Sequence, residues 1–235
     1  LVGGLGLGYT TQALLDMGAT SVDVVELSGA LIQWAHEGIT STLGSLAAAV
    51  WASGVNGALF RTLNAAAAGL PAALWAMLSV CGTVLGAIAL LAPSLKTRPR
   101  WLASAFLAAP LAMLFSEGGK RYFDVLRPAG FLAADSFNLI GHKLYVHAFP
   151  SGHATTVFVV AAVLVLAWPR PERRLRVGLL ALGLAALLAF SRIAVGAHWP
   201  LDVLTGAAGG WLCGAAGVWL SARLRFWEGP GGVRV

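Results

Sequence analysis

Residues 149–168 read FPSGHATTVFVVAAVLVLAW. A Pro-Ser-Gly-His turn abuts an apolar run in which no side chain is charged. Such a run predicts a helix in lipid, where each backbone N–H and C=O must find its partner within the segment. The turn places a histidine, His153, at the mouth of that helix.

The rest of the chain has the same character. Of 235 residues, 58% are hydrophobic and 11% charged, and the mean hydropathy is +0.78. This composition excludes an ordinary water-soluble domain. Uncharged apolar runs at 72–92, 101–116, 153–168, 177–191 and 203–222, with a weaker one at 39–60, predict an all-α polytopic membrane bundle. About six transmembrane helices of roughly 20 residues fit this length, which leaves no room for a separate soluble domain. We therefore expect residues 39–235 to form a single transmembrane domain. Residues 1–38 form a separate N-terminal segment without Lys or Arg, in which Val24, Leu27, Leu31 and Trp34 recur at the spacing of an amphipathic surface helix.

The net charge of +6 does not point to nucleic acid, because the basic residues lie in short loops between apolar runs. They follow the positive-inside rule instead: Lys96, Arg98 and Arg100, then Arg170, Arg173, Arg174 and Arg176, then Arg223 and Arg225 fall on one side, the cytoplasmic one. The opposite side receives a 61–71 turn, a 117–152 loop and a 192–202 loop. Trp75, Trp101, Trp168, Trp199 and Trp219 lie near span ends and read as anchoring or packing residues. Cys81 and Cys213 lie inside apolar runs and do not suggest a disulfide framework.

Three short patterns gather on the outer side. In KRYFDVLRP, Lys120 and Arg127 stand close to two helical turns apart, so a helix would present both cations on one face before Pro128 ends it. Such a pair suits an anion, though snorkelling cations at a membrane interface would have the same pattern. In PSGH, Ser151 and Gly152 open the next helix, where free N–H groups and the positive dipole end favour a phosphate. His153 would then stand beside the anion and could protonate a leaving oxygen; a simple helix-cap histidine is the bland alternative. In SRIAVGAHWPLD, Arg192 ends one span while His198 and Asp202 share a face at the start of the next. A carboxylate at that spacing can hold one ring nitrogen and leave the other free as base or nucleophile. A purely structural His–Asp hydrogen bond is the competing interpretation.

Metal chemistry is the rival for a chain with five histidines. No HxxxH or HExxH spacing occurs; His36 sits in the N-terminal segment, and His142 and His147 lie in a loop without a carboxylate cluster. We expect no metal and no cofactor.

Taken together, Lys120-x6-Arg127-Pro128, Pro150-Ser151-Gly152-His153 and Ser191-Arg192-x5-His198-x3-Asp202 resemble the three-part signature of the type 2 phosphatidic acid phosphatase superfamily, intact at every signature position. The apolar spans resemble its membrane branch, the six-helix lipid phosphate phosphatases, more than its soluble acid phosphatases or haloperoxidases. The resemblance implies a metal-independent phosphatase. His198 would attack phosphorus to form a phosphohistidine, Asp202 would orient it, and His153 would protonate the departing oxygen. Lys120, Arg127, Ser151, Gly152 and Arg192 would hold the phosphoryl oxygens.

The expected substrate is therefore a lipid phosphate among membrane lipids. Undecaprenyl diphosphate, phosphatidylglycerol phosphate, phosphatidic acid and the phosphates of lipid A all present an anionic head at the membrane interface. The Ala/Gly/Leu/Arg-rich composition suggests a bacterial protein, and the distribution of basic residues then predicts an inner-membrane location with the site facing the periplasm. Two other functions use the same basic site: a lipid phosphotransferase, in which an acceptor hydroxyl replaces water, and a transporter that holds phosphate without turning it over.

Overall fold

The computed structural model describes residues 54–224. The described residues from Phe60 onward belong to one compact unit. The expected amphipathic helix at 1–38 and most of the 39–60 span lie outside the described residues.

All regular elements described are helical. They run α1 (Val55–Ala67), α2 (Ala72–Cys81), α3 (Val84–Leu91), α4 (Pro99–Phe123), α5 (Pro128–Phe131), α6 (Gly152–Leu166), α7 (Pro171–Ala194) and α8 (Pro200–Leu224), with single 3₁₀ turns at Ala92–Ser94 and Ala134–Ser136. The segments containing α4, α7 and α8 are long and apolar enough to cross a membrane, and α6 is a shorter apolar helix. Side chains such as Leu85, Phe106, Met113, Leu114, Leu175, Leu179 and Leu180 are exposed. A water-soluble fold would hide so much apolar surface, whereas lipid solvates it. This is an integral membrane helix bundle.

Three expectations about the helices need correction. The apolar run 72–92 is not one continuous helix. Gly82 closes α2, and Thr83 caps α3 by accepting the Gly86 N–H at 3.3 Å, so local capping chemistry divides a stretch that hydropathy alone reads as continuous. The 61–71 turn is mostly helix, since α1 continues through Arg61 to Ala67. The 117–152 loop likewise begins with the last turn of α4.

Helix α8 is the central element, packed against α6, α4 and α7. Its packing comes from glycine. Gly206, Gly210 and Gly214 recur every four residues on the face that meets α6, where added methyl groups would run into Ser151 O, Thr155 O and, at 2.7 Å, the Ala162 side chain. Gly217 makes the same close approach to Ser104 and Ala108 of α4, and the Ser104 and Ser221 hydroxyls bridge these two helices at 2.8 Å. In lipid, where burial offers little drive for helices to associate, close backbone approach and hydrogen bonds between helices hold a bundle together.

The same packing brings the C-termini of α4 and α7 and the N-termini of α6 and α8 to one end of the bundle. A buried cluster of Ala67, Trp75, Ala194 and Val195, with Phe190 and Ile140 against it, supports that end. Trp75 and Trp199 are thus packing residues rather than interfacial anchors: both are buried, and their indole N–H groups donate to Ala67 O at 2.8 Å and Leu126 O at 2.7 Å.

Candidate active site

The three sequence patterns converge at this end of the bundle. Helix α6 opens with Ser151 as its cap, the Oγ accepting the Ala154 N–H at 3.5 Å. The Ser151 N–H donates to Asp202 O at 3.0 Å, which locks the start of α6 to the start of α8. Gly152 is the first helical residue and His153 the second.

Lys120 lies over that helix start. Its Nζ would stand 3.4 Å from a methyl group at Gly152, so glycine here keeps the space between ammonium and helix N-terminus open. Lys120 also bonds Glu117 Oε1 at 2.5 Å. Gly119 permits the approach, because a methyl there would lie 2.5 Å from Pro150 Cδ.

Arg127 reaches the site by a different route from the one its spacing suggests. Helix α4 stops at Phe123, and Asp124 turns into the left-handed region at φ 40°. Arg127 sits beyond the helix in extended backbone, φ −74° and ψ 165°, as the residue before a proline favours. Lys120 and Arg127 therefore do not share a helical face. The guanidinium is buried and held by carbonyls: Nε donates to Val146 O at 2.9 Å, Nη1 to Ala197 O at 3.1 Å and Nη2 to His147 O at 3.3 Å.

Arg192 lies in the last turn of α7, and its backbone builds the next corner. Its carbonyl accepts the N–H groups of Ala197 at 3.0 Å and His198 at 3.2 Å. Between them Gly196 adopts φ +76°, a conformation that side chains disfavour; a methyl at Gly196 would also lie 2.7 Å from Asn138 O.

His198 precedes α8 rather than sitting on it. Its Nδ1 faces Asp202 Oδ2 at 3.4 Å, and the same oxygen accepts the Trp199 N–H at 2.9 Å. The carboxylate thus caps the helix and orients the ring together, both side chains being fully buried. The other ring nitrogen, Nε2, lies 3.2 Å from Arg127 Nη1. Burial, and then the charges of Arg127 and Arg192, push the His198 imidazole well below its ordinary range. A neutral ring with Nδ1–H turned to Asp202 has its lone pair on Nε2, the requirement for a nitrogen nucleophile.

All eight expected residues occupy this end of the molecule. Three others could not be singled out from sequence. Asn64 of α1 is buried and donates from Nδ2 to Asn138 O, Ile193 O and Ala194 O at 3.0, 3.0 and 3.1 Å, while its Oδ1 accepts the Asn138 N–H at 2.8 Å. It satisfies two of the terminal carbonyls of α7 beside Arg192. Ser79 of α2 accepts a hydrogen bond from Arg192 Nη1. Glu117 holds Lys120. None of the three carries a mark of function in the sequence; Asn64 is merely an amide followed by a run of alanines. His147 is less isolated than expected, with Nδ1 3.0 Å from Asp124 Oδ1. Among the described residues no three His, Cys, Asp or Glu side chains gather as a metal site would require.

Residues 100–226, more than half of the chain and all of this constellation but Asn64 and Ser79, match the sequence profile of the PAP2 superfamily. The chain belongs to the PAP2 superfamily. It is 34% identical over 103 residues to an undecaprenyl-diphosphatase of Sulfolobus acidocaldarius, covering 43% of this chain and 47% of that protein. It is 44% identical over 72 residues to a lipid A 1-phosphatase of Rhizobium etli, covering 30% of this chain and 28% of that one. The chain thus spans about half or less of the length of these PAP2 relatives. Among solved structures it resembles LpxE of Aquifex aeolicus, with a TM-score of 0.61 and 29% identity over 70% of this chain and 94% of that one. The fold is also that of a PAP2-type phosphatidylglycerolphosphate phosphatase from Bacillus subtilis, with a TM-score of 0.59 and 23% identity over 77% and 93% of the two chains.

Proposed function

We propose that this protein is a membrane phosphatase that hydrolyses a lipid phosphate monoester or diphosphate through a phosphohistidine on His198. The observation that carries the proposal is the ring of His198, with Nδ1 toward Asp202 at 3.4 Å and Nε2 beside the Arg127 guanidinium at 3.2 Å. This arrangement favours an in-line attack on a phosphorus atom whose oxygens are drawn to the cations around it.

In the first step Nε2 of neutral His198 attacks phosphorus, and the bond from phosphorus to the lipid oxygen breaks. His153, which takes up a proton when the phosphate dianion binds beside it, gives that proton to the leaving oxygen, so the lipid leaves as a neutral alcohol or as a monophosphate. In the second step His153 accepts a proton from water as the water oxygen attacks the phosphohistidine. Orthophosphate departs and His198 is restored. Asp202 holds the ring and balances its positive charge while the phosphorus–nitrogen bond exists. Lys120, Arg127 and Arg192, with the N–H groups at the start of α6, stabilise the charge that builds on the equatorial oxygens. No step requires a metal or a cofactor.

Orientation is supported by the distribution of charge along the helices. The site lies at the C-termini of α4 and α7 and the N-termini of α6 and α8, while Arg98, Arg100, Arg170, Arg173 and Arg223 lie at their other ends. By the positive-inside rule those other ends would face the cytoplasm, which supports a site at the outer interface, the periplasmic one in a bacterial inner membrane. The relatives named for undecaprenyl diphosphate and lipid A support an envelope lipid as substrate.

The test is phosphate release by the detergent-purified chain from undecaprenyl diphosphate, phosphatidylglycerol phosphate, phosphatidic acid and lipid A, in the presence of a chelator. His198→Ala and His153→Ala are assayed alongside. Release by the wild type alone, unaffected by chelator, supports the proposal. No release from any lipid by folded protein would overturn it, and phosphate appearing on an added acceptor instead of in solution would replace hydrolysis with transfer.

A further inference from the structure

Ser79 lies outside the residues that define the family, yet it touches the site. It sits on α2, three positions before the Gly82 that ends the helix, is buried, and accepts a hydrogen bond from Arg192 Nη1 across the bundle. The same corner reaches a second site residue: a methyl at Gly82 would stand 3.6 Å from Cδ2 of His153. The break in the 72–92 run thus places the end of α2 against two groups of the site at once.

The chemical type of this contact matters. Among the described residues no carboxylate pairs with Arg192, in contrast to Lys120, His147 and His198, which face Glu117, Asp124 and Asp202. Its buried Nε has no hydrogen-bond partner among the described residues. A carboxylate at this position would hold the guanidinium but compete with phosphate for it. A hydroxyl holds it through a neutral oxygen and leaves the positive charge free. Arg127 is held on the same plan, by three backbone carbonyls.

We propose that Ser79 is a positioning residue for Arg192, fixing its guanidinium so that the charge is presented to a phosphoryl oxygen. This inference rests on the phosphate-binding part of the function proposed above and is independent of hydrolysis. Ser79 acts through Arg192 and does not itself touch the substrate.

The test is binding of inorganic phosphate and orthovanadate, read as ligand-induced thermal stabilisation of the full chain in detergent. Wild type, Ser79→Ala, Ser79→Thr, Arg192→Ala and the Ser79→Ala/Arg192→Ala double variant are compared. Ser79→Ala is expected to weaken binding by about three- to tenfold, the scale of one hydrogen bond, Ser79→Thr to restore it, and the loss to vanish in the Arg192→Ala background. Equal loss with and without Arg192, or wild-type binding by Ser79→Ala, would overturn the inference. Should Ser79→Ala fail to fold, Ser79→Cys, close in shape and a weaker acceptor, takes its place with the same expectations. A wild type that binds phosphate but hydrolyses no lipid phosphate would remove the phosphatase reading and leave the role of Ser79 intact; a wild type that binds neither anion would remove both.

Discussion

Arg127 Nη1 lies 3.2 Å from His198 Nε2, although the two residues come from opposite ends of the site's sequence. The contact requires both the extended backbone before Pro128 and the corner built on the Arg192 carbonyl. It places a fixed positive charge beside the nitrogen proposed as nucleophile.

Arg127→Lys should therefore be far from conservative. A lysine cannot serve Val146 O, Ala197 O, His147 O and the His198 ring together, and each buried carbonyl left unpaired costs roughly 1–3 kcal/mol. We expect phosphate release to fall by about 100-fold or more, with a lower unfolding temperature. Steady-state kinetics and thermal unfolding in detergent check both; a variant with wild-type rates would show that Arg127 is dispensable.

Asp202→Asn keeps an oxygen to cap Trp199 but cannot balance a positive ring on His198. The expected outcome is a loss in kcat of roughly 10²- to 10⁴-fold with the fold retained. Activity within a few fold of wild type would remove Asp202 from the chemistry and leave it only its capping role.

The depressed proton affinity of His198 makes a prediction about stability. In the unfolded chain the imidazole takes up a proton as pH falls through about 6.5. In the folded chain burial and the neighbouring arginines prevent this, so the unfolded state binds more protons and stability declines with acid. Above about pH 6.5 both states hold the ring neutral and the effect is absent. The unfolding temperature of the wild type should drop more between about pH 7 and pH 5 than that of His198→Gln, and parallel curves would show that His198 titrates normally.

The glycine seam of α8 is tested by a pair of substitutions. Gly210→Ala forces a methyl into the Thr155 backbone, whereas Gly183 of α7 has nothing within 4 Å of the new methyl. Gly210→Ala should destabilise by about 1–3 kcal/mol and lower activity, while Gly183→Ala should be neutral or stabilise by roughly 0.5–1 kcal/mol. Equal effects would mean that helix propensity, not close approach, governs these positions.

Much of this protein was legible from local pattern. The uncharged run after His153 forces a helix in lipid, because no other backbone conformation satisfies its own polar groups there. The PSGH turn specifies a helix start with open N–H groups, and the four-residue spacing of His198 and Asp202 survives as a contact even though His198 stands just outside α8. These are short-range properties, set by the residue types and their immediate neighbours.

What only the tertiary structure decided involves partners far apart in the chain. Spacing alone put Lys120 and Arg127 on one helical face, yet Asp124 turns the backbone and Tyr145 O receives the Arg127 N–H at 2.9 Å, so the two cations reach the site separately. Asn64 and Ser79 carry no local mark of function, since an amide or hydroxyl in an apolar helix becomes meaningful only when packing delivers a helix end or a guanidinium to it. That delivery depends on how closely helices approach, through glycines such as Gly206 and Gly210, and so on surfaces that no single segment contains.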